Sequence, residues 1–369
     1  MKITVTKDDL RTALGGIANI VDKGSTKPIL SHFLLTARGG KTTIRATDLN
    51  VGVREPLTAT VIEEGQTCPP ARKLLEIIKE MDAGDITLES KEPEWLAVSI
   101  GKSKFKLACL PPKDFPSWPN MKEEGSFSLK AGEIATMLEQ TVFCTGQSDT
   151  RYALNGLLFH LTPNQKQLTI VGTDGHRLAL MTKDVVAEGD ERKLIVPRKA
   201  AIELRKFLDE ETVITCNFSK NHILFKTGEV DVLGRLIEGS YPNYQAVIPA
   251  DNDKKVVVEP AALAGSLRKA MILTKEGKRA VSLDISEKKL NISTGSNEVG
   301  EATDSLDVEY GGAAFETAFD PGFLLDAAAM FEKSGTEKVT LSFAQPLTPA
   351  LMTNNGSLDY ICLIMPVRK

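Results

Sequence analysis

Lys2-Ile3-Thr4-Val5-Thr6 opens the chain with alternating polar and apolar residues, the period of a strand with one buried face. Residues 7–21 follow with the period of a helix: Leu10, Leu14, Ile17 and Val21 recur at i, i+4, i+7 and i+11. The same pair returns at Gly125-Ser126-Phe127-Ser128-Leu129 with 130–144, where Ile134, Met137, Leu138 and Val142 make the stripe. It returns again at Lys254-Lys255-Val256-Val257-Val258 with 259–273, carried by Leu263, Leu267, Ala270 and Met271. A second landmark trails each copy: Pro69-Pro70-Ala71-Arg72-Lys73-Leu74-Leu75, Val196-Pro197-Arg198-Lys199-Ala200-Ala201-Ile202 and Asp320-Pro321-Gly322-Phe323-Leu324-Leu325. Proline costs nothing in a first helical turn, where no NH bond is lost, so each marks a helix start. Short strands such as Thr42–Ala46, Gln167–Val171 and Lys289–Ser293 run into the turns Thr47-Asp48, Thr173-Asp174 and Thr294-Gly295.

The landmarks repeat at about 125 residues, a domain-sized period. The spacing therefore predicts an α+β chain of three tandem similar domains, each of two helices packed on antiparallel β-sheet, with boundaries at 1–122, 123–251 and 252–369. The copies share little identity, so what repeats is a shape. Such duplication suits a protein that surrounds or tiles something.

Composition agrees. With 369 residues the chain is too long for one core, and 42% hydrophobic and 25% charged residues describe an ordinary globular protein. Its formal charge of −4 is not that of a typical DNA-binding domain. Cys68, Cys109, Cys144, Cys216 and Cys362 are scattered without a CxxC pair, which argues against zinc ribbons and disulfide frameworks. The amino-terminal stretch lacks signal-peptide character and no apolar run nears the ~20 residues that span a membrane, so a cytoplasmic protein is expected.

No phosphate loop, dinucleotide fingerprint or HExxH run is present, and no cofactor or metal is expected. Asp174, His176 and Arg177 could in principle build a general base. Only four histidines exist, however, and none stands at ligand spacing from His176. Cys144 and Cys216 lie in apolar periodic segments where thiols are inert. The six helical segments (7–21, 70–82, 130–144, 198–210, 260–275 and 321–333) hold 14 basic and 12 acidic residues, against 45 and 49 in the whole chain. Arg72, Lys73, Lys79, Arg198, Lys199, Arg205, Lys206, Arg268, Lys269 and Lys275 fall mostly between the apolar positions. This pattern fits a solvated helix face, or a weakly basic lining that meets phosphates without reading bases.

Arg151-Tyr152-Ala153-Leu154-Asn155-Gly156, Thr173-Asp174-Gly175-His176-Arg177-Leu178, Ile195-Val196-Pro197-Arg198-Lys199, Gly239-Ser240-Tyr241-Pro242-Asn243-Tyr244 and Met365-Pro366-Val367-Arg368 stand in the order found in one family. With Asp48-Leu49 and Phe115-Pro116, the whole chain resembles the bacterial β sliding clamps, the β subunits of DNA polymerase III. The resemblance implies a non-catalytic, head-to-tail homodimer with the DNA-clamp fold, closing as a ring of six similar domains on double-stranded DNA independently of sequence. It also implies a nucleoid-associated cytoplasmic location.

By the same resemblance the interface joins Lys102, Lys104, Phe105, Lys106 and Leu107 of one copy to Ile272, Leu273, Glu298, Glu301 and Asp304 of the other. DNA would be faced by Lys23, Lys27, Arg72, Lys73, Lys79, Tyr152, Arg198, Lys199, Arg205, Arg268 and Lys269. A peptide-binding pocket would comprise Arg151, Tyr152, Leu154, Thr173, Gly175, His176, Arg177, Leu178, Pro242, Val247, Leu347, Ile364, Met365, Pro366 and Arg368. Its implied partners are the polymerase III α subunit, the clamp-loader δ subunit, other polymerases and mismatch-repair proteins, each docking a short linear motif.

Some positions depart from the family pattern. Ala153 stands where a second aromatic is frequent, Gln245 and Ala246 where a basic residue is common, and Gly24 where an arginine can occur. Lys369 ends a chain that often ends in an apolar residue. Two rival readings are an enzyme built on Asp174, His176 and Arg177, and a repeat-built scaffold unrelated to DNA.

Overall fold

The structure is a computed structural model and describes all residues except 22, 23, 25, 275–279, 296–299, 368 and 369. A helix forms at each predicted place, as α1 Lys7–Ile17, α2 Ala71–Glu80, α3 Ala131–Val142, α4 Arg198–Arg205, α5 Pro260–Met271 and α6 Pro321–Lys333, although α1 ends four residues before 21 and leaves the buried Val21 in the turn that follows. Thr6 caps α1 by accepting from the Asp9 N–H at 3.1 Å, and Asp320 caps α6 through the Gly322 N–H at 2.8 Å. Pro260 and Pro321 take the first turn, as expected of residues with no NH to lose. Pro70 and Pro197 sit one place earlier, at the N-caps, so α2 and α4 start one residue beyond them. Both helices stop short of the expected ends at 82 and 210, because Met81 is already extended and Asp209 folds back on Thr212.

Two compact units result. The first holds 1–135, 162–166 and 185–238; the second holds 136–161, 167–184 and 239–369. In the first unit an antiparallel sheet runs in the order Thr60–Glu63, Lys2–Thr6, Asp85–Glu89, Trp95–Ile100, Ser103–Ala108. A larger sheet joins strands of two repeats, because Val230–Arg235 pairs with Val51–Pro56. α1 and α2 pack together and bury Leu10, Leu14, Ile17, Leu74 and Ile78. Leu10, Leu14 and Ile17 are stripe residues of the sequence, and burying each side chain contributes about 2 kcal/mol.

The second unit repeats the plan. Its larger sheet includes the neighbours Gln167–Thr173, Arg177–Asp184, Tyr360–Ile364, Ala350–Asn354, Val339–Phe343 and Lys254–Val258. Its smaller sheet runs Thr303–Asp307, Lys289–Thr294, Val281–Ser286, Phe315–Phe319. α5 packs on α6, and Leu263, Leu267, Phe319, Phe331 and Phe343 fill the core. Gly172 is required here: a Cβ on it would overlap the carbonyl oxygen of Thr141. All five cysteines are free and buried, and burial pushes the thiols of Cys144 and Cys216 far up, which leaves them protonated and inert.

Candidate functional site

In the second unit the strands Gln167–Thr173 and Arg177–Asp184 are joined by a turn whose backbone is held by its own side chains. Thr173 Oγ1 donates to the Arg177 carbonyl at 2.6 Å and accepts from the Gly175 N–H at 3.1 Å. Asp174 Oδ1 accepts from the N–H groups of His176 and Arg177 at 2.9 and 3.0 Å. Gly175 takes φ +86°, which a side chain would strain, and a Cβ there would meet the Arg151 guanidinium at 2.9 Å. The Met365 N–H donates to the His176 carbonyl at 2.9 Å, so the C-terminal strand locks the turn from the other side.

Arg177 sits at the centre. Its Nε meets Asp174 at 3.1 Å, one Nη meets Asp326 at 2.5 Å, and the other donates to the Phe143 carbonyl at 2.9 Å. The guanidinium also lies over the Phe323 ring, 4.7 Å from its centroid. Burial disfavours its charge, but the Asp326 hydrogen bond and the neighbouring negative groups outweigh that and raise its pKa above the ordinary value. The His176 ring stacks on Phe323, and its backbone N–H donates to Asp174. Arg151 is clamped by Asp149 at 2.9 and 3.1 Å and reaches the Asp174 carbonyl at 3.0 Å. Tyr241 is largely buried and donates to the Val171 carbonyl at 3.1 Å; burial pushes its phenol well up.

Around this frame the carried-over pocket residues divide in two. Leu154, Thr173, Leu178 and Ile364 are buried. Tyr152, Pro242, Val247, Leu347 and Met365 are exposed, Tyr152 at 77%, and Pro366 is half-buried. Isolated exposed apolar residues are ordinary on any surface, and it is the family resemblance that groups these five with Arg177 as a candidate contact surface. Arg368 lies outside the described residues. Sequence reading missed Asp149, Phe323 and Asp326, the groups that fix Arg151, His176 and Arg177. Phe323 and Asp326 are i and i+3 on α6, so a helical wheel already placed them on one face.

Two sheet edges carry the interface candidates. Ser103–Ala108 is the last strand of its sheet and shows Lys102, Lys104, Lys106 and Phe105, the last 41% exposed. Leu107 is only 9% exposed and belongs mainly to the core. Thr303–Asp307 ends the small sheet of the second unit, with Glu301, Asp304 and Asp307 along it; Ile272, just past the end of α5, is 78% exposed and Leu273 half-buried. Glu298 lies outside the described residues.

The basic helix residues are less uniform than their spacing suggests. Lys73, Lys79, Arg205, Lys206, Arg268 and Lys269 are exposed, as is Lys27. Lys73, Lys206 and Lys269 are paired with Glu76, Glu203 and Asp304. Lys199 is tied to Asp48 at 2.6 Å, while Arg72 and Arg198 are half-buried, each with Nε enclosed. Lys23 and Lys275 lie outside the described residues. Among the described residues no three His, Cys, Asp or Glu side chains converge as a metal site, and no helix is long and apolar enough to cross a membrane.

Comparison with known proteins matches three family descriptions in chain order. They are the N-terminal, central and C-terminal domains of the DNA polymerase III beta subunit, at residues 1–119, 128–243 and 245–368. A beta sliding clamp of Pseudomonas putida is 33% identical over the full length of both chains. The crystal structure of a Pseudomonas aeruginosa sliding clamp bound to griselimycin superposes with a TM-score of 0.93 at 31% identity, covering all of both chains. That of the Caulobacter crescentus clamp, with polyethylene glycol at its putative tethering region, gives 0.91 at 29% identity and the same coverage. Three repeats of one α+β plan and full-length similarity thus agree: the chain belongs to the β sliding clamp family, the DNA polymerase III β subunits, and serves as a non-catalytic DNA sliding clamp.

Proposed function

We propose that two copies close head to tail into a ring of six domains, divided at 1–122, 123–251 and 252–369 in each chain, which holds duplex DNA by enclosure. The observation that carries this is the pair of open sheet edges with opposite charge. Lys102, Lys104 and Lys106 flank one edge; Glu301, Asp304 and Asp307 flank the other. An unpaired edge strand offers a row of backbone donors and acceptors, and a complementary edge from a second copy satisfies both the hydrogen bonds and the charge. A contact between two different patches forms a closed ring when its rotation closes. Phe105 and Ile272 supply exposed apolar surface for the centre of that contact.

Lys23, Lys27, Arg72, Lys73, Lys79, Tyr152, Arg198, Lys199, Arg205, Arg268 and Lys269 would face the duplex. Among the described residues Lys73, Lys199 and Lys269 are paired and Arg72 and Arg198 half-buried, so phosphate contacts are weak and permit sliding. The surface around Arg177 would dock linear segments of the polymerase III α subunit, the clamp-loader δ subunit, other polymerases and mismatch-repair proteins. The relative bound to griselimycin supports this reading. It also fits a nucleoid-associated cytoplasmic protein.

The test is mass and retention. Phe105→Asp should move the particle toward the 40.1 kDa of a single chain in sedimentation equilibrium. The unaltered protein, once loaded on nicked circular DNA, should be retained until the circle is linearised. An unchanged mass for Phe105→Asp, or equal retention on linear and circular DNA, would sink the ring.

A further inference from the structure

The turn at 47–51 in the first unit has the same hydrogen bonds as the turn at 173–177. Thr47 Oγ1 donates to the Val51 carbonyl at 2.9 Å and accepts from the Leu49 N–H at 3.0 Å. Asp48 Oδ1 accepts from the N–H groups of Asn50 and Val51 at 2.9 and 2.7 Å. The Arg235 N–H donates to the Asn50 carbonyl at 2.8 Å, as Met365 does to His176. Beside this turn lies a small cleft of about 70 Å³ with aromatic walls from Phe115 and Trp118. Arg45, Leu49, His222 and Arg235 also line it.

Its charge is one-sided. Arg45 stands directly across from Arg54 on the neighbouring strand, and both guanidiniums lie within 6 Å of the Trp118 ring centroid, at 5.8 and 5.3 Å. Asp231 answers Arg54. Arg45 donates to the Pro116 carbonyl, and among the described residues neither Arg45 nor Arg235 has a carboxylate partner. Burial and the field of Arg235 lower the pKa of His222, as expected where cations converge without a fixed anion. Leu49 is held at φ +75°, a costly conformation for leucine, with its side chain 45% exposed at the cleft.

We propose that this cleft is a second docking site, quasi-equivalent to the surface around Arg177, and that it takes a linear peptide carrying a carboxylate beside an apolar side chain. The carboxylate meets Arg235 and Arg45, and the apolar side chain packs on Leu49 and Trp118. A duplex fits worse. Arg45 is half-buried between Phe115 and Trp118, out of reach of a phosphate backbone on a rigid helix. The inference uses the cleft's own residues and holds whether or not the Arg177 surface docks peptides.

Trp118 provides the readout, since the chain has only two tryptophans and Trp95→Phe leaves it alone. In that background, titration with acetyl-Glu-Leu-Phe-Glu-amide should shift Trp118 emission saturably. Arg235→Glu should weaken binding about tenfold or more, as loss of a charge-assisted contact does. His176→Ala should leave it unchanged. The Gln-Leu-Phe-Gln peptide should bind about tenfold more weakly than the acidic one. Absence of a saturable shift at millimolar peptide would overturn the proposal. So would equal binding of the two peptides, a shift abolished by His176→Ala, or displacement of the peptide by a duplex oligonucleotide. Because Arg235 is exposed, Arg235→Glu tests the site without disturbing the core.

Discussion

The turns at 47–51 and 173–177 share a backbone and differ in nearly everything attached to it. Each is held by a threonine hydroxyl and an aspartate carboxylate bonding the same four places. In the second unit the turn presents Gly175, His176 and Arg177, with Phe323 and Asp326 of α6 completing the surface. In the first it presents Leu49, Asn50 and Val51, and the cations come from Arg45 and Arg235 instead. Gly52 lies where Leu178 stands in the other copy, and the Trp118 ring comes within 3.3 Å of the place a Cβ would occupy. Duplication thus conserved a scaffold, because backbone hydrogen bonds must be satisfied in every copy. It left recognition free to diverge, because side chains facing solvent carry no such obligation.

Exchanging residues between the copies tests this. Gly172 has Ala46 as its counterpart, yet only Gly172 runs against a helix carbonyl. Gly172→Ala should cost about 3 kcal/mol in urea unfolding. Ala46→Gly should cost no more than about 1 kcal/mol. Equal losses would mean that the close approach at Thr141 is unimportant.

Glu55 occupies the place of Met181 and is buried in the core, where burial raises its carboxyl to about 8 from an ordinary 4.5. The unfolded chain releases that proton first, so stability is full below about 4.5 and falls as pH rises toward about 8. Glu55→Met should remove that slope and stabilise the protein at pH 8 by a few kcal/mol. A slope unchanged by the substitution would show that Glu55 is solvated.

Arg177→Val gives the second turn the residue of the first. Loss of contacts to Asp174, Asp326 and Phe323 should weaken docking of a linear peptide about tenfold or more. Calorimetric titration against the unaltered protein would show it. Last, Leu49→Gly should relieve the positive φ and stabilise by about 1 kcal/mol, while Gly175→Leu should destabilise. Thermal unfolding of the two variants would decide whether both turns are strained in the same way.

Much of the fold was legible because burial leaves a period in the sequence. The stripes of Leu10, Leu14 and Ile17, and of Leu263, Leu267 and Ala270, became the buried faces of α1 and α5. Helix ends were less legible: Pro70 and Pro197 took the caps, and α4 stopped at Arg205, because chain reversal at Asp209 is decided locally by a side chain. The site was half legible. The motif at 173–178 named the turn, but Asp149, Phe323 and Asp326 carry no spacing that ties them to Arg177.

By itself, then, the sequence determined three copies of one α+β plan, their helix faces and the Thr-Asp turn at 173–177, since periodicity and capping act over a few residues. Tertiary structure alone decided which lysines are tied up by carboxylates, which strands are left as open edges and where a buried carboxyl keeps its proton. Those outcomes depend on partners far apart in the chain, whose meeting is set by packing and leaves no local pattern.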